Sequence, residues 1–254
     1  MPQPAQSPLA SDIAAALDWW RTAGVDAAYR DTAEPWLAEK EEPAPAGPAP
    51  RSAAAAPPPP APARVGGDRA QWPQTLDTFA DWWLNEGSLD EGGLSPRVAP
   101  RGPLGAELMI VVPMPEDADR ETLLSGPQGR LLGAFAVAAG LSADQVYYAA
   151  ALPRHETLPD WAGLRAGGMG DVLGHHVALA RPKRVLVLGQ NILPLIGHDP
   201  AQGAQNLRTF NHEGGAVPAL FEAGPERLLG NGKLRARLWR RWLEWTDGQK
   251  WDDG

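Results

Sequence analysis

The sequence predicts an α/β protein in which a central, mainly parallel sheet of four strands lies between two layers of helices. Two observations lead to this prediction. Four short apolar segments have the composition of strands that are buried on both faces, as the strands of parallel sheets are. Segments with the apolar spacing of helices alternate with these strands along the chain, which is the pattern of a three-layer α/β/α fold.

The four predicted strands consist mainly of Val, Leu, Ile and Ala. They span Ala106–Val112, Val146–Leu152, Arg184–Leu188 and Val217–Phe221. In open α/β sheets a ligand binds beyond the carboxyl ends of the strands. We therefore expect a functional site in the turns that follow these four segments.

Six helices are predicted, each from apolar side chains that recur at helical spacing. The first, Asp12–Ala23, begins after a capping Ser11 and ends before Gly24. The others lie around residues 76–83 and at Pro127–Gly140, Met169–Leu179, Asn191–Ile196 and Lys233–Trp245.

The chain is predicted to have three parts. Residues 1–42 form an N-terminal helical segment, residues 43–71 a linker and residues 72–254 the α/β domain. Residues 43–63 are almost entirely Pro and Ala. Such a stretch cannot bury enough apolar surface to offset the entropy that is lost on ordering, so we expect an extended, disordered tether.

The composition excludes several classes of protein. The chain has no Cys, which rules out disulfides and thiolate metal sites, and its 5 His are not spaced as ligand pairs. We therefore predict no metal and no cofactor. No apolar run is long enough to cross a bilayer, and the first residues lack the pattern of a signal peptide. These observations predict a soluble, monomeric, cytoplasmic protein.

The net charge of −8 is unevenly distributed. Residues 1–99 contain 7 Lys and Arg against 14 Asp and Glu, whereas residues 100–254 contain 16 against 17. An acidic chain disfavours a nucleic-acid partner. However, five basic residues lie close together near the C-terminus, so DNA binding stays open as a function. They are Lys233, Arg235, Arg237, Arg240 and Arg241.

Four segments of the chain follow one another in an order and spacing that a known family shares. They are Leu17–Asp26 (LDWWRTAGVD), Ala106–Val112 (AELMIVV), Leu179–Gly197 (LARPKRVLVLGQNILPLIG) and Val217–Trp239 (VPALFEAGPERLLGNGKLRARLW). They resemble segments of the uracil-DNA glycosylase superfamily, in its bacterial types four and five. The resemblance covers most of the chain outside the Pro/Ala stretch. It implies an α/β/α fold and an ancestry in DNA repair.

The residues that this family uses for chemistry are absent. The family's Gly-Glu-Ala-Pro-Gly loop corresponds to Val112–Glu116, which keeps only the proline. The aromatic residue that stacks on the flipped base is missing from Thr122–Leu124, and the asparagine that reads the base corresponds to Ala150. The histidine of the closing motif corresponds to Gly224, and the iron–sulfur cysteines are missing. The resemblance therefore implies a glycosylase fold without ordinary uracil excision.

Three side chains are candidates for chemistry at a rearranged site. Glu116 and Asp117 follow the first strand, where a carboxylate could activate water. His155 follows the second strand, where an imidazole could act as an acid or contact a phosphate. A solvated acidic turn and a surface histidine are the commoner explanations, so the sequence alone assigns no catalytic residue.

The resemblance also implies a cleft and a DNA-binding segment. The cleft residues lie near or after the carboxyl ends of the strands and comprise Pro113, Met114, Ala150, Arg154, Gly189, Gln190 and Gly224. The DNA contacts lie where the family inserts a loop into the minor groove, and they comprise Arg227, Asn231, Lys233, Arg235 and Arg237. The alternative for the last three is a solvated helix face.

Three functions remain open. The favoured one is a protein that binds DNA or a repair partner and does not excise bases. The second is an active glycosylase or related hydrolase that uses Glu116, Asp117 or His155. The third is an interaction protein whose Trp-containing N-terminal helix recruits another protein, with a vestigial cleft.

Overall fold

The computed structural model describes residues 8–22, 64–196 and 209–246, which fall into two compact units. Helix α1 (Pro8–Thr22) belongs to the first unit, and every other described element belongs to the second. The tether predicted at residues 43–63 lies outside the described residues, as do residues 23–42 of the predicted N-terminal segment and residues 247–254.

The second unit has the predicted α/β architecture. Its helices are α2 (Leu76–Asn85), α3 (Pro127–Ala138), α4 (Trp161–Gly167), α5 (Met169–Ala180), α6 (Pro225–Gly230) and α7 (Gly232–Thr246). Its strands are β1 (Leu108–Val112), β2 (Val146–Ala150), β3 (Val185–Leu188), β4 (Thr209–His212) and β5 (Gly215–Glu222). Among the helices of the described ranges, none combines the length and the apolar character that crossing a membrane requires.

The sheet has five strands in the order β2-β1-β3-β5-β4. Strands β2, β1, β3 and β5 are parallel, and β4 pairs antiparallel with β5 through a tight turn at Glu213 and Gly214. The prediction of a four-stranded sheet is therefore wrong by one strand. Strand β4 could not be predicted from the sequence, because it is a short edge strand in which only Phe210 is buried.

Alternate residues of each central strand point to opposite faces of the sheet. Met109 and Val111 of β1 pack on the same face as α2 and α5, in a core that includes Phe79 and Met169. On the other face, their neighbours Leu108, Ile110 and Val112 pack with α3, α6 and α7. Helices therefore cover both faces, which explains why the strands are continuous apolar runs.

The folded unit includes residues that the sequence assigned to the linker. Val65 packs against the core, and the indole N–H of Trp72 donates a hydrogen bond to the carbonyl oxygen of Gly66 at 2.6 Å. The Arg64 guanidinium contacts the Asp171 carboxylate, also at 2.6 Å. Residues 64–71, which the sequence assigned to the linker, therefore belong to the folded unit.

A buried histidine lies between the sheet and helix α2. The His176 ring stacks on Phe79 with centroids 4.2 Å apart, and its Nε2 lies 2.9 Å from the Tyr147 hydroxyl. Burial, together with the adjacent His175, lowers the pKa of His176 to about 3. The folded protein therefore holds His176 in its neutral form at any pH near neutrality.

We expect this histidine to make the fold sensitive to acid. The pKa of His176 is about 3 in the folded protein, against a reference value of 6.5. The stability that neutral His176 contributes is therefore fully present above pH 6.5. Between pH 6.5 and about pH 3, the free energy of unfolding falls by about 1.4 kcal/mol for each pH unit. Urea denaturation at a series of pH values measures the slope.

A double variant, Tyr147→Phe with His176→Phe, is the matched comparison. It removes both partners of the buried hydrogen bond and keeps two rings of similar shape, a change that can be nearly neutral at pH 8. Its stability should depend less on pH between 6.5 and 4 than that of the wild-type protein. Equal slopes for the two proteins would contradict the assignment to His176.

Candidate functional site

An open cleft lies at the carboxyl ends of β1, β3 and β5. The space between its walls is about 660 Å³. The loops that follow the three strands and the first turns of α3 and α6 form the walls. The lining residues are Pro113, Met114, Pro115, Gln128, Gly189, Gln190, Asn191, Gly224, Pro225, Glu226 and Arg227.

The strand order brings the three loops together. Strands β1, β3 and β5 are parallel neighbours, so the loops that follow them leave the sheet at one edge. Gly189 has a φ of +134°, and a Cβ on it would lie 2.7 Å from Cγ of Pro113. Only glycine fits this position, because it adopts such a φ and leaves room for the neighbouring loop.

Gly224, which follows β5, differs from Gly189 in that its position does not require glycine. Gly224 has an ordinary φ of −59°. A Cβ on this residue would meet nothing closer than Cα of Gly189, at 3.8 Å, which is a normal contact. Neither the backbone nor the packing requires glycine here. The fold would therefore accept a Cβ at this position.

Five of the seven predicted cleft residues meet in this cleft. They are Pro113, Met114, Gly189, Gln190 and Gly224. Ala150, the last residue of β2, is instead buried in the core on the face of the sheet that α3 covers, and it does not line the cleft. Strand β2 lies on the far side of β1, so its carboxyl end is not next to β3 or β5.

Arg154 is the other predicted residue that lies elsewhere. Its Nε donates to the Asp90 carboxylate at 2.9 Å, and Arg97 donates to the same oxygen at 2.9 Å. Burial opposes the charge on Asp90, but the hydrogen bonds from the two arginines outweigh it and hold the pKa of Asp90 below its usual value. Arg154 therefore anchors the segment between α2 and β1 and is not a cleft residue.

Glu116 caps a helix. Its carboxylate is buried and accepts hydrogen bonds from the backbone N–H groups of Gly126, Gln128 and Gly129 at 3.1, 3.0 and 2.9 Å. These groups open α3 and have no partner within that helix. The negative charge also lies at the positive end of the helix dipole. Glu116 thus fixes the start of α3, which forms one wall of the cleft.

The other two catalytic candidates also lie outside the cleft lining. Asp117 is exposed on the loop that follows Glu116. His155 Nδ1 lies 3.0 Å from the carbonyl oxygen of Pro115, so the imidazole donates through this nitrogen. It braces the loop after β1 from outside the cleft. The structure therefore does not bring Glu116, Asp117 and His155 together at the cleft.

Two of the predicted DNA-binding residues have roles at helix ends. Asn231 caps α7, because its Oδ1 accepts from the backbone N–H groups of Lys233 and Leu234 at 3.0 and 3.2 Å. Arg235 donates to the carbonyl oxygens of Leu228 and Leu229, at 2.7 and 2.9 Å, at the end of α6. Both side chains hold the junction between α6 and α7.

Arg237, a third predicted DNA-binding residue, is paired with the last strand of the sheet. Glu222, the last residue of β5, is buried, and its carboxylate accepts from Arg237 at 2.9 Å and also from Arg241. This leaves Arg227 and Lys233 as the exposed cations of the predicted set without such an internal role in the described ranges. Arg227 lies at the wall of the cleft, and Lys233 lies in the first turn of α7.

Sequence reasoning missed three polar side chains that line the cleft, namely Gln128, Asn191 and Glu226. Two of them carry a recognisable signal. Gln128 and Glu226 each follow a proline that is the first residue of a helix, and proline at that position marks a helix start. These helix starts lie beside the strand ends, where the cleft forms.

A scan of this chain against models of protein families finds no match, and a search of curated proteins finds no match either.

Proposed function

We propose that this protein is a cytoplasmic monomer of the uracil-DNA glycosylase type of fold that binds DNA in a repair context and does not excise bases. The observation that carries the proposal is the cleft at the ends of β1, β3 and β5. Five of the residues that the resemblance assigns to a nucleotide cleft converge there, and Arg227 lies at its wall.

The chemistry of the cleft walls supports binding rather than catalysis. The loop after β1 offers Pro113 and Pro115, which have no N–H group with which to stabilise a developing negative charge. Gly224 has no side chain to donate from, and Glu116 is occupied by the start of α3. Gln128, Gln190 and Asn191 each offer both donors and acceptors, which suit contacts to a sugar or a base edge.

Removal of the two exposed cations should weaken DNA binding in a way that depends on salt. Arg227→Ala combined with Lys233→Ala removes two candidate phosphate contacts beside the cleft. We expect the slope of log affinity against log salt to fall by about two units, since each phosphate contact contributes about one. Fluorescence anisotropy with a labelled duplex and a labelled single strand, over a range of salt concentrations, measures this slope.

Arg165→Ala is the control, because it removes an exposed charge from α4 and Arg165 does not line the cleft. It should leave the slope unchanged. The proposal fails if the wild-type protein binds neither the duplex nor the single strand at low salt. It also fails if the control and the double variant weaken binding equally.

One observation favours a second candidate, an active hydrolase with a rearranged site. Among the described residues that line the cleft, Glu226 is the single carboxylate, and it could activate a water molecule there. Incubation of excess protein with oligonucleotides that contain uracil or hypoxanthine separates the two candidates. Base release that Glu226→Gln abolishes would replace our proposal with this one.

Helix α1 supports a third, compatible role in recruiting a repair protein. Leu9, Ile13, Leu17 and Trp20 recur at the spacing of one helix face, and each is at least 50% exposed. Such a face is typical of helices that bind in an apolar groove of another protein. A chain without residues 1–22 should keep its affinity for DNA and lose such a partner.

A further inference from the structure

An apolar groove runs between helices α3, α6 and α7, apart from the cleft. The space within the groove and at its open mouth is about 610 Å³. The buried side chains of Leu132, Leu228 and Leu238 form its floor. Leu131, Phe135 and Trp239, which are partly buried, form its walls, and Arg235 is the charged residue among those that line it.

Aromatic contacts hold the walls in place. The Phe135 ring lies edge-on to Trp239 at 6.1 Å and to Trp242 at 5.2 Å between centroids. Trp242 in turn contacts Trp245 at 5.5 Å. Because these rings are already packed, a ligand would not have to order them on binding, which lowers the entropic cost of association. The apolar surface continues on α7 at Leu243, which is 49% exposed.

The surroundings of the groove are basic although the protein is acidic. Helix α3 has Arg130 and no acidic residue, and α7 has five basic residues against the single acid Glu244. Two of those five, Arg237 and Arg241, are ion-paired with Glu222. Of the exposed cations, Arg235 lines the groove and Arg130 directly precedes its lining residue Leu131, on a chain with a net charge of −8.

We propose that this groove binds an acidic amphipathic helix of a partner protein. Helical walls offer no free backbone groups for pairing with an extended strand, whereas they suit a helix with apolar residues at every third or fourth position. The cations would meet acidic flanks, which directs the choice of partner. A nucleic-acid backbone fits less well, because its phosphates would be desolvated against Leu, Phe and Trp. A second copy would place like charges opposite one another.

The test uses the full-length protein and two synthetic helical peptides of about 18 residues, or five turns. Both peptides carry Leu at positions i, i+4, i+7 and i+11. Their other positions are Ala, except for the flanking residues, which are Glu in one peptide and Lys in the other. We expect the Glu peptide to bind in the micromolar range by fluorescence anisotropy. The Lys peptide should bind at least about tenfold more weakly.

Two substitutions locate the binding. Trp239→Ala should weaken binding of the Glu peptide by about tenfold, which is the effect expected when a buried aromatic contact is lost. Because that change could also disturb the fold, Arg130→Glu provides a second variant, at an exposed position, and should weaken binding by about fivefold. Arg165→Glu makes the same charge change on α4 and should have no effect.

Several results would overturn the proposal. These are equal affinity for the two peptides, binding of neither, or identical effects of Arg130→Glu and Arg165→Glu. Displacement of the Glu peptide by a DNA duplex, lost in the Trp239→Ala variant, would assign the groove to nucleic acid instead. Concentration-dependent dimers that Trp239→Ala abolishes would assign it to a second copy of the chain.

Discussion

Replacement of Glu222 by alanine is expected to lower the free energy of unfolding by about 4 kcal/mol. The Glu222 side chain is 1% exposed at the end of β5, and it is paired with Arg237 and Arg241. Without the carboxylate, the guanidinium of Arg241, which is only 14% exposed, loses its buried counter-charge. Removing one partner of a buried ion pair is far more costly than the loss of an exposed ion pair.

Urea denaturation at pH 7 measures this loss. Glu244→Ala removes an exposed carboxylate from α7, the helix that carries both arginines, and it should change stability by less than about 0.5 kcal/mol. A loss for Glu222→Ala as small as that of the control would show that the arginines find other partners. The role assigned to Arg237 would then be open again, including contact with DNA.

Replacement of Glu116 by alanine is expected to cost about 3 kcal/mol. The change leaves the N–H groups of Gly126, Gln128 and Gly129 without their shared acceptor at a buried helix start. It also removes a charge that interacts favourably with the helix dipole. Since α3 forms one wall of the cleft, the same variant should bind DNA more weakly.

Thermal and urea denaturation measure the effect, with Asp117→Ala as the neighbouring control. Asp117 is exposed, so its removal should be nearly neutral. Glu116→Gln should fall between the two, because a carboxamide keeps one acceptor oxygen. If Glu116→Ala left stability unchanged but abolished a base-release activity, Glu116 would be catalytic and our structural assignment would be wrong.

The central strands could be predicted because burial on both faces leaves continuous apolar runs, as in Leu108–Val112 and Val185–Leu188. Strand β4 could not, because an edge strand buries few side chains and Thr209–His212 is mostly polar. Helices α4 and α6 are too short, at 7 and 6 residues, for apolar periodicity to stand out. The end of the linker was missed because the docking of Val65 is a long-range contact.

The candidate site, like the fold, could be predicted only in part. The rule that ligands bind beyond strand ends selected Pro113, Gly189 and Gly224 from the sequence. Ala150 was assigned to the cleft by the resemblance, and wrongly, because the strand order separates the end of β2 from the ends of β3 and β5. Likewise, composition located the cationic segment, but only the fold pairs Arg237 with Glu222 and directs Arg235 to the end of α6.

The sequence by itself determined the α/β class, the parallel strands and the loops in which a site should lie, because these follow from local periodicity and from the direction of the chain. The tertiary structure decided the strand order β2-β1-β3-β5-β4, and with it the three loops that form the cleft. It also decided the partner of each charged side chain. Both depend on contacts between residues that are distant in the chain, which neither composition nor spacing specifies.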